Sequence, residues 1–108
     1  MKLLLISGPN TADTMAAGLR LMKRGYAVYY AQPLRINLSN YGPILHNLID
    51  QTEWRMKWNL NDVEMVKRCD GVYMCHGWGT ESLCKVHMNL AKNINKQVFF
   101  ENVAEPRD

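Results

Sequence analysis

The sequence has few cysteines and no long hydrophobic run, and each absence excludes a class of protein. Cys69, Cys75 and Cys84 are an odd number and include no Cys-x-x-Cys pair. This count disfavours a disulfide framework and a structural zinc site, and it indicates free thiols in a reducing compartment. The longest opening apolar run, from Leu3 to Ile6, is far shorter than the roughly 20 residues of a membrane-spanning helix. It is also too short for the core of a secretory signal.

A large excess of either charge is absent, and so is a glycine-rich phosphate loop. Thirteen Lys and Arg residues against ten Asp and Glu residues give a formal charge of +3. That charge is compatible with an anionic small molecule such as a nucleotide, but it is too weak to indicate a nucleic-acid-binding surface. We therefore expect a cytoplasmic protein with no membrane or nucleic-acid partner, no metal and no cofactor.

What the sequence does contain is typical of one globular domain. The chain has 108 residues, of which 47% are apolar and 21% charged. These values exclude disorder, collagen and coiled coil as descriptions of the whole chain. We predict a single domain over residues 1–108, large enough to bury a core without disulfides.

Predicted strands alternate with predicted helices along the chain. The strands cover residues 2–7, 26–31, 72–75 and 97–100, and the main helices begin near residues 11, 62 and 81. This alternation predicts a parallel sheet with helices on both faces, joined by right-handed crossovers. The first helix carries Met15, Leu19 and Met22 on one side, and a weaker helical stripe follows at Ile44, Leu45, Leu48 and Ile49.

The loop after the first strand is a candidate binding segment. In parallel sheets ligands bind beyond the carboxyl ends of the strands, where the strand order reverses. Gly8 with Pro9 allows the backbone to approach a ligand, and the helix that starts near Asn10 offers free amides. Ser7, Gly8, Pro9 and Asn10 are therefore predicted to bind substrate. The alternative is an ordinary strand-to-helix turn, since one glycine is a weak signal.

The loop after the third strand is the second candidate segment, and we expect it to lie beside the first. It contains Gly77, Trp78, Glu81 and Ser82. The Trp78 ring can stack on a flat base, while Glu81 or Ser82 can bind a sugar hydroxyl. The alternative makes Trp78 a partly buried cover over the core and Glu81 a first-turn carboxylate favoured by the helix dipole.

His87 and Asp62 are open to both a structural and a functional interpretation. His87 falls on a helical stripe with Leu83, Leu90 and Ile94, where a histidine is more often a core residue than a catalyst. Its helix begins at the candidate site, however, which keeps a functional role open. Asp62 is placed at the start of the preceding helix, as a cap or first-turn acid.

Several short segments together resemble the short nucleoside 2-deoxyribosyltransferase-like proteins, many of which are encoded by phages. The resemblance covers nearly the whole chain. It implies a single three-layer flavodoxin-like or Rossmann-like α/β domain with four or five parallel strands. The segments are Ile6-Ser7-Gly8-Pro9, Gly25 to Val28 followed by Gln32-Pro33, Tyr41, Asp62 with Cys69-Asp70, Val72-Tyr73-Met74 and Gly77-Trp78.

The resemblance implies recognition of a nucleoside or nucleotide at its N-glycosidic region. In active members a glutamate on the helix after the third strand attacks the sugar and forms a covalent ester, which water or another base resolves. A further acid positions the base or supplies a proton. A neighbouring subunit often completes the site, so a homodimer or larger homo-oligomer is expected. If the chain is phage-encoded, its location is the host cytoplasm.

The chain departs from the family at the nucleophile. The family's Gly-Trp-x-x-Ser-x-Gly-Ala-x-x-Glu pattern falls on residues 77–87, which places His87 at the glutamate position. Glu81 stands at the Ser position, and Asp62 matches the family's acid. Either Glu81 takes over the carboxylate role, or the protein keeps the pocket and has lost the reaction. The candidate catalytic residues are thus Glu81, Asp62 and His87.

Overall fold

The computed structural model describes residues 1–31 and 51–107, apart from the side chains of residues 51–55, 57 and 58. The predicted features at Gln32-Pro33, at Tyr41 and at residues 44–49 lie outside this part of the chain. The elements, in chain order, are β1 (Leu3–Ser7), α1 (Thr11–Lys23), β2 (Ala27–Tyr30), α2 (Gln51–Arg68), β3 (Gly71–Met74), a 3-10 helix (Trp78–Thr80), α3 (Ser82–Asn93) and β4 (Gln97–Phe100).

The four strands form one parallel sheet in the order β2-β1-β3-β4. This arrangement confirms the predicted α/β class and is consistent with a single three-layer Rossmann-like domain. The order reverses between β1 and β3, which pair directly, with Ser7 opposite Met74. The carboxyl ends of these two strands therefore lie side by side, as expected. Across residues 1–31 and 51–107, no helix combines the length and hydrophobicity needed to cross a bilayer.

The central strands β1 and β3 are buried on both faces, because successive strand residues point to opposite faces and helices cover each of them. One face packs against α2 and α3, and the other packs against α1. The core on the α2–α3 side includes Leu5, Val66, Val72, Met74, Cys84 and Ala91. The core on the α1 side includes Leu4, Ile6, Ala17, Leu21 and Tyr73.

Helix α1 starts where the sequence predicts, and local capping signals mark both of its ends. Asn10 is the N-cap, and its side-chain oxygen accepts a hydrogen bond from the N–H of Asp13 at 3.0 Å. The helix stops before Gly25, whose φ of +96° suits glycine.

The buried side of α1 carries mostly small residues, while three of its four larger apolar residues face outward. Thr14, Ala17, Gly18 and Leu21 are the buried positions. Met15, Leu19 and Met22 do share one side, but they are 47%, 51% and 43% exposed. The sheet therefore meets α1 through small side chains and Leu21.

Helix α2 corrects one prediction, because it begins at Gln51 and not at Asn61 or Asp62. Asp62 is neither a cap nor a first-turn residue; it lies inside the helix and is fully buried. Asn and Asp do favour N-cap positions. Residues 51–60 contain neither proline nor glycine, so nothing in this segment interrupts a helix.

Replacing Gly8 by alanine tests the packing at the end of β1. A Cβ at Gly8 would lie 2.6 Å from Thr14 Oγ1 and 2.7 Å from Cys75 Cβ. We expect Gly8→Ala to lower the free energy of unfolding by about 1–3 kcal/mol, measured by urea denaturation. Gly79→Ala is the control, because a Cβ there meets nothing within 4 Å. Equal effects of the two substitutions would contradict this account.

Candidate functional site

The loops after β1 and β3 touch each other at the edge where the strand order reverses. Gly77 has a φ of +84°, and a Cβ there would lie 3.2 Å from Pro9 Cγ. Gly8 is buried, and the space beside its Cα is filled by Thr14 and Cys75. Its lack of a side chain is thus required by internal packing. Ligand binding by Gly8 and Pro9 stays a prediction.

Trp78 lies on the 3-10 helix at this edge and is half-buried. Its ring packs against Phe100, with ring centroids 5.4 Å apart and planes inclined by 43°. The short helix is closed by backbone hydrogen bonds from Trp78 N–H to Cys75 O and from Thr80 N–H to Gly77 O, both 3.1 Å long. The indole is therefore held in place and keeps part of its surface exposed.

Below this edge, Ser7, His87 and Asp62 form a buried polar cluster. Ser7 Oγ is 2.9 Å from His87 Nδ1, and His87 Nε2 is 3.9 Å from Asp62 Oδ2. His87 is 2% exposed, and the other two residues are fully buried. A carboxylate near Nε2 favours a proton on that nitrogen, which leaves Nδ1 to accept a hydrogen bond from the Ser7 hydroxyl.

Two further residues extend this cluster toward β2. The Tyr29 hydroxyl donates a hydrogen bond to Asp62 Oδ1 at 3.0 Å, and Asn61 Nδ2 donates one to the Tyr29 oxygen at 2.7 Å. The cluster consequently joins β1, β2, α2 and α3. We call the set Ser7, Tyr29, Asn61, Asp62 and His87 the polar chain.

Local sequence explains how each member reaches the polar chain. Ser7 is two residues beyond Leu5, so it points to the face of the sheet that α2 and α3 cover. His87 lies three residues after Cys84 and four before Ala91 on the buried side of α3. Tyr29 and Asn61 are the members that sequence reasoning missed as site residues, although the position of Tyr29 in β2 places it on this same face.

The other predicted residues lie at helix amino ends, with Asn10 at the start of α1 and Glu81 and Ser82 at the start of α3. Glu81 is the N-cap, with extended backbone, and its side chain makes no capping hydrogen bond. Glu81 therefore precedes the first turn of α3, so the alternative that made it a first-turn carboxylate is wrong. Ser82 and Asn10 are exposed. The structure thus brings together Ser7, Asp62 and His87, and it places Glu81 and Ser82 on the surface side of the same edge.

The thiols of Cys75 and Cys69 are unsuited to act as nucleophiles. Burial raises the pKa of Cys75 to about 12, and the negative charge of Glu101 adds to the effect. Burial also raises the pKa of Cys69. Both thiols are therefore neutral at physiological pH, and the nucleophile is the thiolate. Within the part of the chain that the structure describes, no three His, Cys, Asp or Glu residues are grouped to hold a metal ion.

Comparisons with known proteins leave the family open. No model of a known protein family matches the chain, and no curated protein is significantly similar to it in sequence. The resemblance to nucleoside 2-deoxyribosyltransferase-like proteins therefore depends on the short motifs alone.

Replacing Ser7 by alanine tests the buried hydrogen bond to His87. The substitution leaves Nδ1 with one hydrogen bond fewer in a site without water contact, so the free energy of unfolding should fall by about 1–3 kcal/mol. Ser82→Ala makes the same change at an exposed position and should stay within about 0.5 kcal/mol of wild type. Thermal and urea unfolding measure both variants. A Ser7→Ala protein as stable as Ser82→Ala would rule out a stabilising bond.

Proposed function

We propose that the chain binds a nucleoside or nucleotide at the carboxyl ends of β1 and β3. The observation that carries the proposal is the direct pairing of these strands at the reversal of strand order, with their two loops in contact. Open parallel sheets bind ligands at such a position. The motif resemblance to nucleoside 2-deoxyribosyltransferase-like proteins supports the same ligand class.

The side chains at this edge suit a flat base joined to a sugar. Trp78 is half-buried and held against Phe100, so its indole offers a fixed surface for stacking. The carboxylate of Glu81 is not used as a helix cap, which leaves it able to accept hydrogen bonds from sugar hydroxyls. Asn10 and Ser82 add exposed polar groups on the loops of β1 and β3.

Binding without cleavage is favoured by the residue at the nucleophile position. His87 is buried and shares a hydrogen bond with Ser7. An imidazole there cannot form the sugar ester that the family's glutamate forms. We therefore propose recognition of the N-glycosidic region by a site that does not cleave it.

A second candidate function is cleavage of the N-glycosidic bond with a displaced carboxylate. It is favoured by Asp62, whose Oδ2 lies 3.9 Å from His87 Nε2. A carboxylate thus lies next to the position that the family's glutamate occupies. With either function we also propose assembly into a homodimer or larger homo-oligomer, a phage origin and a cytoplasmic location.

A ligand screen tests the binding proposal. The chain is mixed with 2'-deoxynucleosides and ribonucleosides and with their 5'-monophosphates, and the melting temperature is followed. We expect at least one compound to stabilise the fold in proportion to RT ln(1 + [L]/Kd), or about 2.7 kcal/mol at a hundredfold excess over Kd. Trp78→Ala should weaken binding about tenfold or more, and Trp78→Phe should retain most of it. Failure of every compound to stabilise the wild type would reject the proposal.

Replacing His87 by glutamate tests whether the missing carboxylate is the reason that the proposed site does not cleave the N-glycosidic bond. His87→Glu restores a carboxylate at the family's nucleophile position, so we expect it to release free base from a compound that the wild type binds intact. His87→Gln is the matched control, with nearly the same shape and no nucleophile. Chromatography measures the base. Release by the wild type that Asp62→Asn abolishes would instead support the second candidate function.

A further inference from the structure

The end of β4 holds the loop that carries Trp78. Phe100, the last residue of β4, packs its ring against the indole. The next residue, Glu101, accepts a hydrogen bond through Oε1 from the backbone N–H of His76 at 2.8 Å. His76 lies two residues before Trp78. Phe100 and Glu101 are consecutive residues, and they contact the Trp78 ring and the backbone of the same loop, respectively.

The carboxylate of Glu101 is itself fixed from the other side of the sheet. Its Oε2 accepts a hydrogen bond from Arg20 Nη2, on α1, at 2.7 Å. The Glu101 side chain is only 12% exposed, and Arg20 is 56% exposed. Hydrogen bonds to charged groups are stronger than neutral ones. With one oxygen on Arg20 and the other on His76, the carboxylate links α1 to the loop.

We propose that Glu101 is a positioning residue that sets the orientation of the Trp78 loop for ligand binding. The inference rests on the proposed function, because it takes Trp78 as the residue on which the base stacks. A loop that is already ordered loses less freedom when the ligand binds. A loop released from Glu101 adopts the binding orientation in only a fraction of the molecules, and the apparent Kd rises in inverse proportion to that fraction.

Glu105 provides a matched control in the same segment. Like Glu101, it accepts one backbone N–H, from Asn102 at 3.1 Å, and one side-chain donor, the hydroxyl of Tyr73. It borders a cavity of about 250 Å³ at the amino-terminal ends of the strands, next to Lys2 and Gln97. Glu101→Ala and Glu105→Ala thus remove similar sets of bonds, but of these two carboxylates only Glu101 bonds the backbone of the loop that carries Trp78.

Two measurements test the role of Glu101. Calorimetry gives the Kd of a nucleoside that stabilises the wild type, and NMR hydrogen exchange gives the protection of the His76 amide. We expect Glu101→Ala to raise Kd about tenfold and to speed exchange of this amide by about tenfold or more. Glu105→Ala should change both by less than about twofold. Glu101→Gln keeps an oxygen that can accept the His76 N–H, so it should recover most of the affinity and protection.

The other possible outcomes would overturn either the inference about Glu101 or the proposed function. Equal rises in Kd for Glu101→Ala and Glu105→Ala would indicate a general loss of stability and overturn the inference. Faster exchange at His76 with an unchanged Kd would also overturn it, because the loop position would then not matter to the ligand. If no compound stabilises the wild type, the proposed function fails. In that case the exchange rates alone decide whether Glu101 holds the loop.

Discussion

The parallel pairing of β1 with β3 places two loops from distant parts of the chain at one edge of the sheet. Ser7 ends one strand and Met74 ends the other, in register. Because each strand then turns into a loop and a helix, the amino ends of α1 and α3 follow at the same edge. Pro9 and Gly77 contact each other there. The candidate site depends on this pairing more than on any single side chain.

Burial of the polar chain beneath that edge of the sheet lowers the stability of the fold unless its hydrogen bonds compensate. Burying a hydroxyl, an imidazole and a carboxylate removes their hydration, and only good hydrogen bonds offset the loss. The bonds from Ser7 to His87 and from Tyr29 to Asp62 supply part of that compensation. Apolar replacements of buried charged groups are often neutral or stabilising. Stability alone therefore does not account for these polar groups, which lie under the edge where the binding site is proposed.

Local patterns in the sequence predicted most of the fold. The four strands lie within one residue of their predicted ends, since buried aliphatic and aromatic runs stop at clear turn signals. Helix α1 starts at Asn10 as predicted, because N-capping depends on neighbouring residues alone. The predicted start of α2 was wrong, because the Asn61-Asp62 pair also fits the N-terminal cap of a shorter helix. Local sequence could not distinguish a cap from a residue buried by tertiary contact.

The contacts of the site were less accessible to sequence reasoning. The motif comparison selected His87 and Asp62 separately, yet their proximity follows from how α2 packs beside α3. Tyr29 and Glu101 have no local signature, since each acquires its role only when the sheet closes. A resemblance in short motifs can identify positions, while the hydrogen bonds that connect them come from packing.

Helix α1 packs against the sheet mainly through small residues, with Leu21 as the one large apolar side chain among them. Gly18 lies against the Tyr30 ring, where an added methyl group would overlap the hydroxyl, and Ala17 is completely enclosed. Met15, Leu19 and Met22, by contrast, lie on the outer surface. During divergence, the inner positions of α1 should thus tolerate fewer changes than its outer methionines and leucine. Alignments of distant relatives should then be anchored on the small residues of this helix.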